Sequence, residues 1–253
     1  PGNLITTGIS TIDYFFSGEY IETRSSANQY SETLIKLTGM PHGITNIPKL
    51  SDQKSRNYFD LPEESRIFGL LHNLIKFHPD WDAILERIAI DNKDAVFLLT
   101  GKDSLQSIQL QNRWKENAPT FLFKCRFYKH LQQEKYFNLL GCSDVVLDPL
   151  HMGCGTTSID ALSLGIPIIT KPEDNPRTRI AFGLYEIMGI KNAPIAHTNL
   201  EYIKHCAMLC KTSRNYNDLK LSIKTNYHKV VSASKQSMRD MVDKIKILSS
   251  PLM

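Results

Sequence analysis

Short apolar runs alternate with amphipathic segments from about residue 66 onward. The apolar runs are the length of strands and rich in β-branched residues, as in a parallel sheet covered on both faces. The predicted strands are residues 66–71, 95–100, 120–123, 145–147 and 167–170. The segments between them carry apolar residues at helical spacing. The predicted helices are residues 80–89, 104–116, 130–140 and one that begins at Thr156 and ends at Gly165.

This repeated β-α-β order with short connections predicts an α/β fold with a doubly wound parallel sheet. Ligands of such sheets bind outside the carboxyl ends of the strands. Residues 1–60 differ, because they contain few helical patterns and one strand-like run, residues 12–16. A boundary is therefore predicted in the polar segment 55–64. From Asn199 onward the chain is helical and basic, which we interpret as a solvated helix surface.

Composition and charge narrow the possible partners. The 253 residues carry a net charge of +4, and the basic residues are scattered, so no nucleic acid partner is expected. Since no apolar run approaches about 18 residues, no membrane span is expected. The five cysteines show no Cys-x-x-Cys spacing, and their odd number predicts reduced thiols and a cytoplasmic location. The first residue is Pro1, so we expect the sequence to be part of a longer protein.

The strongest chemical signal is the glycine-rich turn that follows the strand at 145–147. Gly153 and Gly155 allow a tight turn, and Thr156 and Thr157 begin a helix. The N-terminus of a helix offers unpaired N–H groups and the positive end of the helix dipole, which suits phosphate. Phosphate binding is the favoured interpretation, and a βα turn without a ligand is the alternative.

Other candidate residues lie near this turn or near a strand end. Lys76 follows the first strand of the main domain and can neutralise a departing diphosphate, or it is a surface lysine. Asn73 lies one turn before it. Asp160 lies on the same helix face as Thr156. Its carboxylate can bind ribose hydroxyls, or it is simply an exposed acid of the helix. Tyr136 can stack on a base or pack in the core.

The sequence alone leaves two roles open for a pair of arginines and for three histidines. Arg177 and Arg179 follow the strand at 167–170, where an arginine can clamp an anion or form ion pairs. His42, His78 and His151 are isolated, and isolated histidines are more often structural than catalytic. No Ser-His-Asp spacing, His-Glu-x-x-His or Walker A pattern is present.

Several segments in order resemble the O-GlcNAc transferase family (glycosyltransferase family forty-one), especially bacterial members with tetratricopeptide repeats. They are ITTGISTIDYFFSGEYIE, NQYSETLIKLTGMP, LLHNLIKFHPDWDAIL and DVVLDPLHMGCGTTSIDALSLGIPIITKPEDNPRTRIAFGLYEIMGI. The resemblance runs from residue 4 to about 190 and implies a GT-B fold, in which two Rossmann-like domains face a cleft. Residues 1–60 would be the tail of the N-terminal catalytic domain. Residues 61–253 would be the C-terminal domain that binds the nucleotide sugar.

The resemblance also assigns roles to particular residues. It implies that Lys76 contacts the diphosphate beside Asn73, that Thr156 and Thr157 bind phosphate, and that Asp160 binds the ribose. Tyr136 and Leu131 fall at positions beside uracil. The sequence also departs from its relatives. Gly155 stands where the animal enzymes have histidine, Gln133 replaces a lysine, and Asn3 replaces a histidine of many bacterial members.

The expected activity is inverting, metal-independent transfer of a sugar, GlcNAc by resemblance, from a UDP-sugar to a protein hydroxyl. The UDP-sugar is the donor substrate, and no cofactor is expected. The predicted catalytic residue is Lys76. The predicted donor-binding residues are Asn73, Leu131, Tyr136, Gly153, Gly155, Thr156, Thr157, Asp160 and Arg179. The alternatives are an asparagine glucosyltransferase, a UDP-sugar epimerase and a non-catalytic module that binds sugar nucleotides.

Overall fold

The computed structural model describes residues 5–44, 53–209 and 213–249. The strands are β1 Tyr14–Gly18, β2 Thr33–Leu37, β3 Arg66–Leu70, β4 Ala95–Thr100, β5 Cys125–Tyr128, β6 Val145–Leu147 and β7 Ile168–Ile169. The α-helices are α1 Asp82–Asp91, α2 Leu105–Asn117, α3 Pro119–Lys124, α4 Gln133–Gly141, α5 Thr156–Ser163, α6 Ile180–Met188, α7 Asn199–Met208 and α8 Arg214–Ser249.

Five strands form one parallel sheet in the order β5-β4-β3-β6-β7, and β1 pairs with β2 in a separate parallel pair. The predicted α/β, doubly wound parallel sheet is therefore confirmed. The strand order reverses between β3 and β6, because β4 lies on one side of β3 and β6 on the other. A crevice for ligands opens at such a reversal, outside the carboxyl ends of the two strands.

The central strands are buried on both faces. All residues of β6 and all but the first of β3 are buried. Since neighbouring side chains of a strand point to opposite faces, helices must cover both sides of the sheet. The rings of Phe68 and Phe97 stack across β3 and β4 with centroids 5.2 Å apart. Packing of this core fixes the strands, and therefore the positions of the loops that follow them at the crevice.

The prediction of a strand at residues 120–123 is wrong, because those residues lie in helix α3. Pro119 occupies the first turn, where its missing N–H costs nothing. The carboxylate of Glu86, on α1, accepts the N–H groups of Thr120 and Phe121 at 3.2 and 2.9 Å and so caps the helix. Strand β5 follows directly. A cap supplied by a different helix leaves no local signal in the sequence.

Helix α8 extends from the main sheet to the N-terminal segment. The Oγ of Ser234 accepts the N–H of Ile44 at 2.7 Å and donates to the carbonyl of His42 at 2.5 Å. Farther along, Asp240 accepts the N–H of Thr38 at 3.2 Å.

The predicted boundary at 55–64 separates the β1–β2 pair from the five-stranded sheet, and the domain assignment stays a prediction. None of the helices in the described ranges combines the length and apolar character needed to cross a bilayer.

Arg56 joins the segment before β3 to the amino end of β6. Its Nη2 donates to Asp144 Oδ1 at 2.8 Å and to the carbonyl of Cys142 at 3.0 Å. The other oxygen of Asp144 accepts the N–H of Ile67 at 2.7 Å. The two side chains are only 10% and 6% exposed, so the ion pair is shielded from water.

We expect Arg56→Ala to lower the free energy of unfolding by about 3–5 kcal/mol, since it removes the charged partner of a buried carboxylate. Urea denaturation measures this change. Arg87→Ala is the matched control, because its exposed pair with Asp91 lies within one helix and should contribute little. Equal, small effects of the two substitutions would contradict the structural role of the Arg56–Asp144 pair.

Candidate functional site

Lys76 lies directly over the glycine-rich turn. It ends a short 3-10 helix, Leu74–Lys76, that follows β3, and the turn follows the neighbouring strand β6. The Lys76 Nζ donates to the carbonyls of Gly153 and Cys154 at 2.7 and 3.1 Å. An ammonium group has three N–H donors, and the described residues engage two of them, so the third can bind a ligand. The structure thus brings together two residues predicted separately, Lys76 and Gly153.

The glycines of the turn are required by its geometry. A Cβ on Gly153 would lie 3.0 Å from the carbonyl oxygen of Arg177 and 3.1 Å from Asp148 Oδ1. Gly155 is the N-cap residue of α5 and has a φ of 66°, a conformation that favours glycine. The turn therefore lets the chain pass close to two other segments and then enter α5 with its first N–H groups free of intrahelical acceptors.

Asp148 fixes the turn from inside the protein. It is 2% exposed and directly follows β6. One carboxylate oxygen accepts the N–H of Cys154 at 2.5 Å, and the other accepts the Thr170 hydroxyl at 2.6 Å. Burial raises the pKa of this carboxyl, while the two hydrogen bonds act in the opposite direction. The sequence analysis did not select Asp148, although an acid between a buried strand and a glycine turn was a signal for it.

Asp160 and Tyr136 form the second part of the site. Asp160 lies on α5, one turn after Thr156, which is exposed, whereas Thr157 is buried. The hydroxyl of Tyr136, on α4, donates to Asp160 Oδ2 at 3.3 Å. Burial raises the pKa of Asp160 to about 6, and the tyrosine hydrogen bond offsets this only in part. A partly buried carboxylate of this kind would gain from further hydroxyl donors.

For three other predicted residues, the structure gives a position but no hydrogen bond to the glycine turn. The Asn73 side chain caps the short helix by accepting the N–H of Ile75 at 3.1 Å, and it lines a cavity of about 430 Å³. Leu131 is half-buried before α4. Arg179 lies 4.6 Å from the centre of the Phe182 ring and donates to the carbonyl of Glu173 at 3.4 Å. These contacts tie Arg179 to α6, and its donor-binding role stays a prediction. Asn3 lies outside the described residues.

Asp80 and Asp82 have the Asp-x-Asp spacing that can hold a divalent cation, which the sequence analysis overlooked. The structure separates them. The Asp82 carboxylate is 4% exposed and accepts from Arg113 at 2.8 and 2.9 Å and from the Trp114 indole at 2.9 Å. Asp80 is instead at the surface. The two carboxylates therefore do not form one metal site.

Comparison with known proteins identifies relatives in both sequence and fold. No protein-family profile matches the chain. The chain is 27% identical over 214 residues to the probable UDP-N-acetylglucosamine–peptide N-acetylglucosaminyltransferase SEC of Arabidopsis thaliana. That match covers 78% of this chain and 21% of the plant protein, so the chain spans about a fifth of the curated relative's length.

The fold comparisons agree. A Thermobaculum terrenum O-GlcNAc transferase mutant matches with a TM-score of 0.81 at 19% identity, over 96% of this chain and 46% of that chain. Sucrose-phosphate synthase from Thermosynechococcus elongatus matches with a TM-score of 0.63 at 13% identity, over 93% and 59%. Anabaena HepE in complex with UDP-glucose matches with a TM-score of 0.53 at 11% identity, over 74% and 51%.

The chain therefore has the Rossmann-like fold of the C-terminal domain of GT-B glycosyltransferases. Within that class, its sequence and fold resemble O-GlcNAc transferases over most of its length. The resemblance stated from the motifs is confirmed. The roles assigned to individual residues stay predictions, although Lys76, the glycine turn, Thr156 and Asp160 now lie at one edge of the sheet.

We expect Asp148→Ala to loosen the turn, because the Cys154 N–H and the Thr170 hydroxyl lose their acceptor. An unpaired buried polar group costs roughly 1–3 kcal/mol. Urea denaturation should show this loss, and titration with UDP should show weaker binding by the protein that remains folded. Asp148→Asn is the control, since it keeps one oxygen acceptor and should be milder. Unchanged stability in Asp148→Ala would remove Asp148 as the support of the turn.

Proposed function

We propose that this chain is the donor-binding part of an inverting, metal-independent UDP-sugar glycosyltransferase. In this proposal the enzyme transfers GlcNAc to a protein hydroxyl. The resemblance to a plant protein named as a peptide N-acetylglucosaminyltransferase supports the sugar and the acceptor. The similarity in fold to an O-GlcNAc transferase and to UDP-sugar enzymes supports the reaction class.

One observation carries the proposal, the contact of Lys76 with the glycine turn at the N-terminus of α5. When an acceptor hydroxyl attacks the anomeric carbon, negative charge grows on the departing diphosphate. A fixed ammonium group and the positive end of a helix stabilise such charge best when they are oriented before the reaction. The carbonyls of Gly153 and Cys154 orient Lys76 in this way and leave it one donor for the phosphate.

Asp160 suits the next part of the donor. It lies four residues, about 6 Å along the helix axis, beyond the N–H group of Thr156, so a phosphate at the helix N-terminus would place a ribose near it. A carboxylate that accepts two ribose hydroxyls would also compensate for its partial burial. Tyr136, which already donates to Asp160, would then hold the carboxylate in place beside the nucleoside.

The choice among donors and acceptors is decided by turnover measurements on the full-length protein. Release of UDP from UDP-GlcNAc, without and with a peptide acceptor, tests the proposal directly. Release from UDP-glucose alone would favour an asparagine glucosyltransferase, and interconversion of UDP-sugars would favour an epimerase. UDP binding with no release from any donor would favour a non-catalytic module.

We expect Lys76→Ala in the full-length enzyme to lower turnover more than it weakens binding of UDP-GlcNAc. Removing one electrostatic donor to a developing charge typically costs on the order of 10²–10³ in rate. Steady-state kinetics and isothermal titration measure the two effects separately. Lys115→Ala is the control, because this exposed lysine contacts only Asn112 among the described residues. Wild-type turnover in Lys76→Ala would remove Lys76 from the mechanism.

We expect Asp160→Asn to weaken UDP binding roughly 10- to 150-fold, which corresponds to the loss of a charge-assisted hydrogen bond of about 1.5–3 kcal/mol. The melting temperature should not fall. A structural acid would give the opposite result, with lower stability and normal UDP affinity of the folded fraction. Measuring both quantities on one sample decides between the two roles.

The pKa of Asp160 also predicts a pH dependence. Because the folded protein holds this proton up to a pH of about 6 and the unfolded chain releases it near 3.8, the carboxyl should make the fold less stable as the pH rises between these values. Asp160→Asn should abolish this contribution. Affinity for UDP-GlcNAc should rise with pH through about 6 in the wild type and less in the variant. Identical pH profiles would contradict the assignment.

A further inference from the structure

A cluster of titratable side chains lies at the surface beside the crevice and takes no part in the proposed reaction. His78 and Asp80 flank the start of the short 3-10 helix Pro79–Trp81, a few residues after Lys76. His151 belongs to the loop after β6, and Glu173 to the loop after β7. Three loops at the carboxyl ends of the strands therefore meet in this cluster.

The four side chains contact one another in a chain centred on His151. Its Nε2 lies 2.9 Å from Asp80 Oδ2, and its Nδ1 lies 3.1 Å from a carboxylate oxygen of Glu173. The rings of His78 and His151 meet edge to face with centroids 4.7 Å apart. One ligand atom from each of His78, Asp80 and His151 can be chosen so that all lie within 4.8 Å of one another.

We propose that His78, Asp80 and His151 form a binding site for a divalent transition-metal ion of the zinc class. Imidazole nitrogens and a carboxylate oxygen are typical zinc ligands, and three protein ligands leave a coordination position for water. In this site Glu173 would not bind the metal but would orient the ring of His151. Metal-bound histidines commonly donate their second ring N–H to a carboxylate, which fixes the ring, and Glu173 lies at the Nδ1 of His151 for this purpose.

The geometry requires only small movements. Zinc–ligand bonds of about 2.0–2.1 Å in a tetrahedron place the ligand atoms about 3.3 Å apart. The side chains of His78, Asp80 and His151 are 50%, 62% and 41% exposed, so they have room to close around an ion. Glu173 also pairs with Lys171, whose Nζ lies 3.4 Å away. With neutral histidines, Asp80, Glu173 and Lys171 together carry one net negative charge, which favours a cation.

The alternative is an ion-pair cluster in which a proton on His151 takes the place of the metal. The zinc site and the protonated ion-pair cluster have the same contacts of Asp80 and Glu173 with His151, so only metal-binding measurements distinguish the two. A bound ion would join the loop after β3 to the loop after β6. These are the same two segments that Lys76 connects. The proposal does not depend on the sugar chemistry, because it concerns metal affinity and thermal stability alone.

The experiment is isothermal titration of the untagged chain with zinc chloride. A Cys210→Ser background removes the thiol outside the described residues, while Cys125, Cys142, Cys154 and Cys206 are buried. We expect one zinc ion per chain and a rise in melting temperature with zinc. The single variants His78→Ala and His151→Ala should lose at least tenfold in affinity, and Glu173→Gln should lose about 10- to 100-fold.

His228→Ala is the matched control, because this exposed histidine lies on α8 and its described partner is the carbonyl of Thr225, at 2.8 Å. Its zinc affinity should equal that of the parent chain. Melting temperatures without zinc verify that each variant is folded. Zinc affinity that is unchanged by His78→Ala and His151→Ala would overturn the proposal, as would no zinc binding by the parent chain. Either result would leave the cluster as an ion pair.

Discussion

The candidate site depends on one buried carboxylate. Asp148 accepts from the backbone of Cys154 and from the Thr170 hydroxyl, and so fixes the glycine turn to the segment that follows β7. A buried carboxylate is costly unless it is hydrogen-bonded, so this geometry strongly restrains the turn. Lys76 then donates to carbonyls on the outer side of the same turn. The turn is thus held from both sides before any ligand arrives.

This arrangement explains how a lysine and a helix N-terminus come to lie side by side in the proposed donor site. β3 and β6 are neighbours at the reversal of strand order, so the loops after them meet although 77 residues separate Lys76 from Gly153. A preoriented ammonium group and free N–H groups stabilise developing charge without reorganisation during the reaction. The same meeting of loops brings His78 and Asp80 next to His151. One feature of the topology therefore creates both the proposed donor site and the proposed metal site.

The sequence alone determined the α/β class, most strand positions and the local features of the two halves of the proposed donor site. Buried strands such as Ala95–Thr100 carry a short, continuous apolar run of strand length, and Gly153 and Gly155 with Thr156 mark a helix N-terminus by local chemistry. These signals are local, because they come from residues close together in the chain. The motifs also carried the resemblance to O-GlcNAc transferases, which both comparisons support.

Only the tertiary structure decided which of the residues that carry these local signals come into contact. Helix α3 is capped by Glu86 from another helix, so residues 120–123 had the composition of a strand and the structure of a helix. The Asp148–Thr170 hydrogen bond and the His78–His151 contact have no local pattern, since each joins residues from two different loops. Likewise, the contact of Arg179 with the Phe182 ring became visible only in the structure, and its predicted role as an anion clamp stays a prediction. The sequence limits what each segment can form, but packing between distant segments determines which side chains share a site.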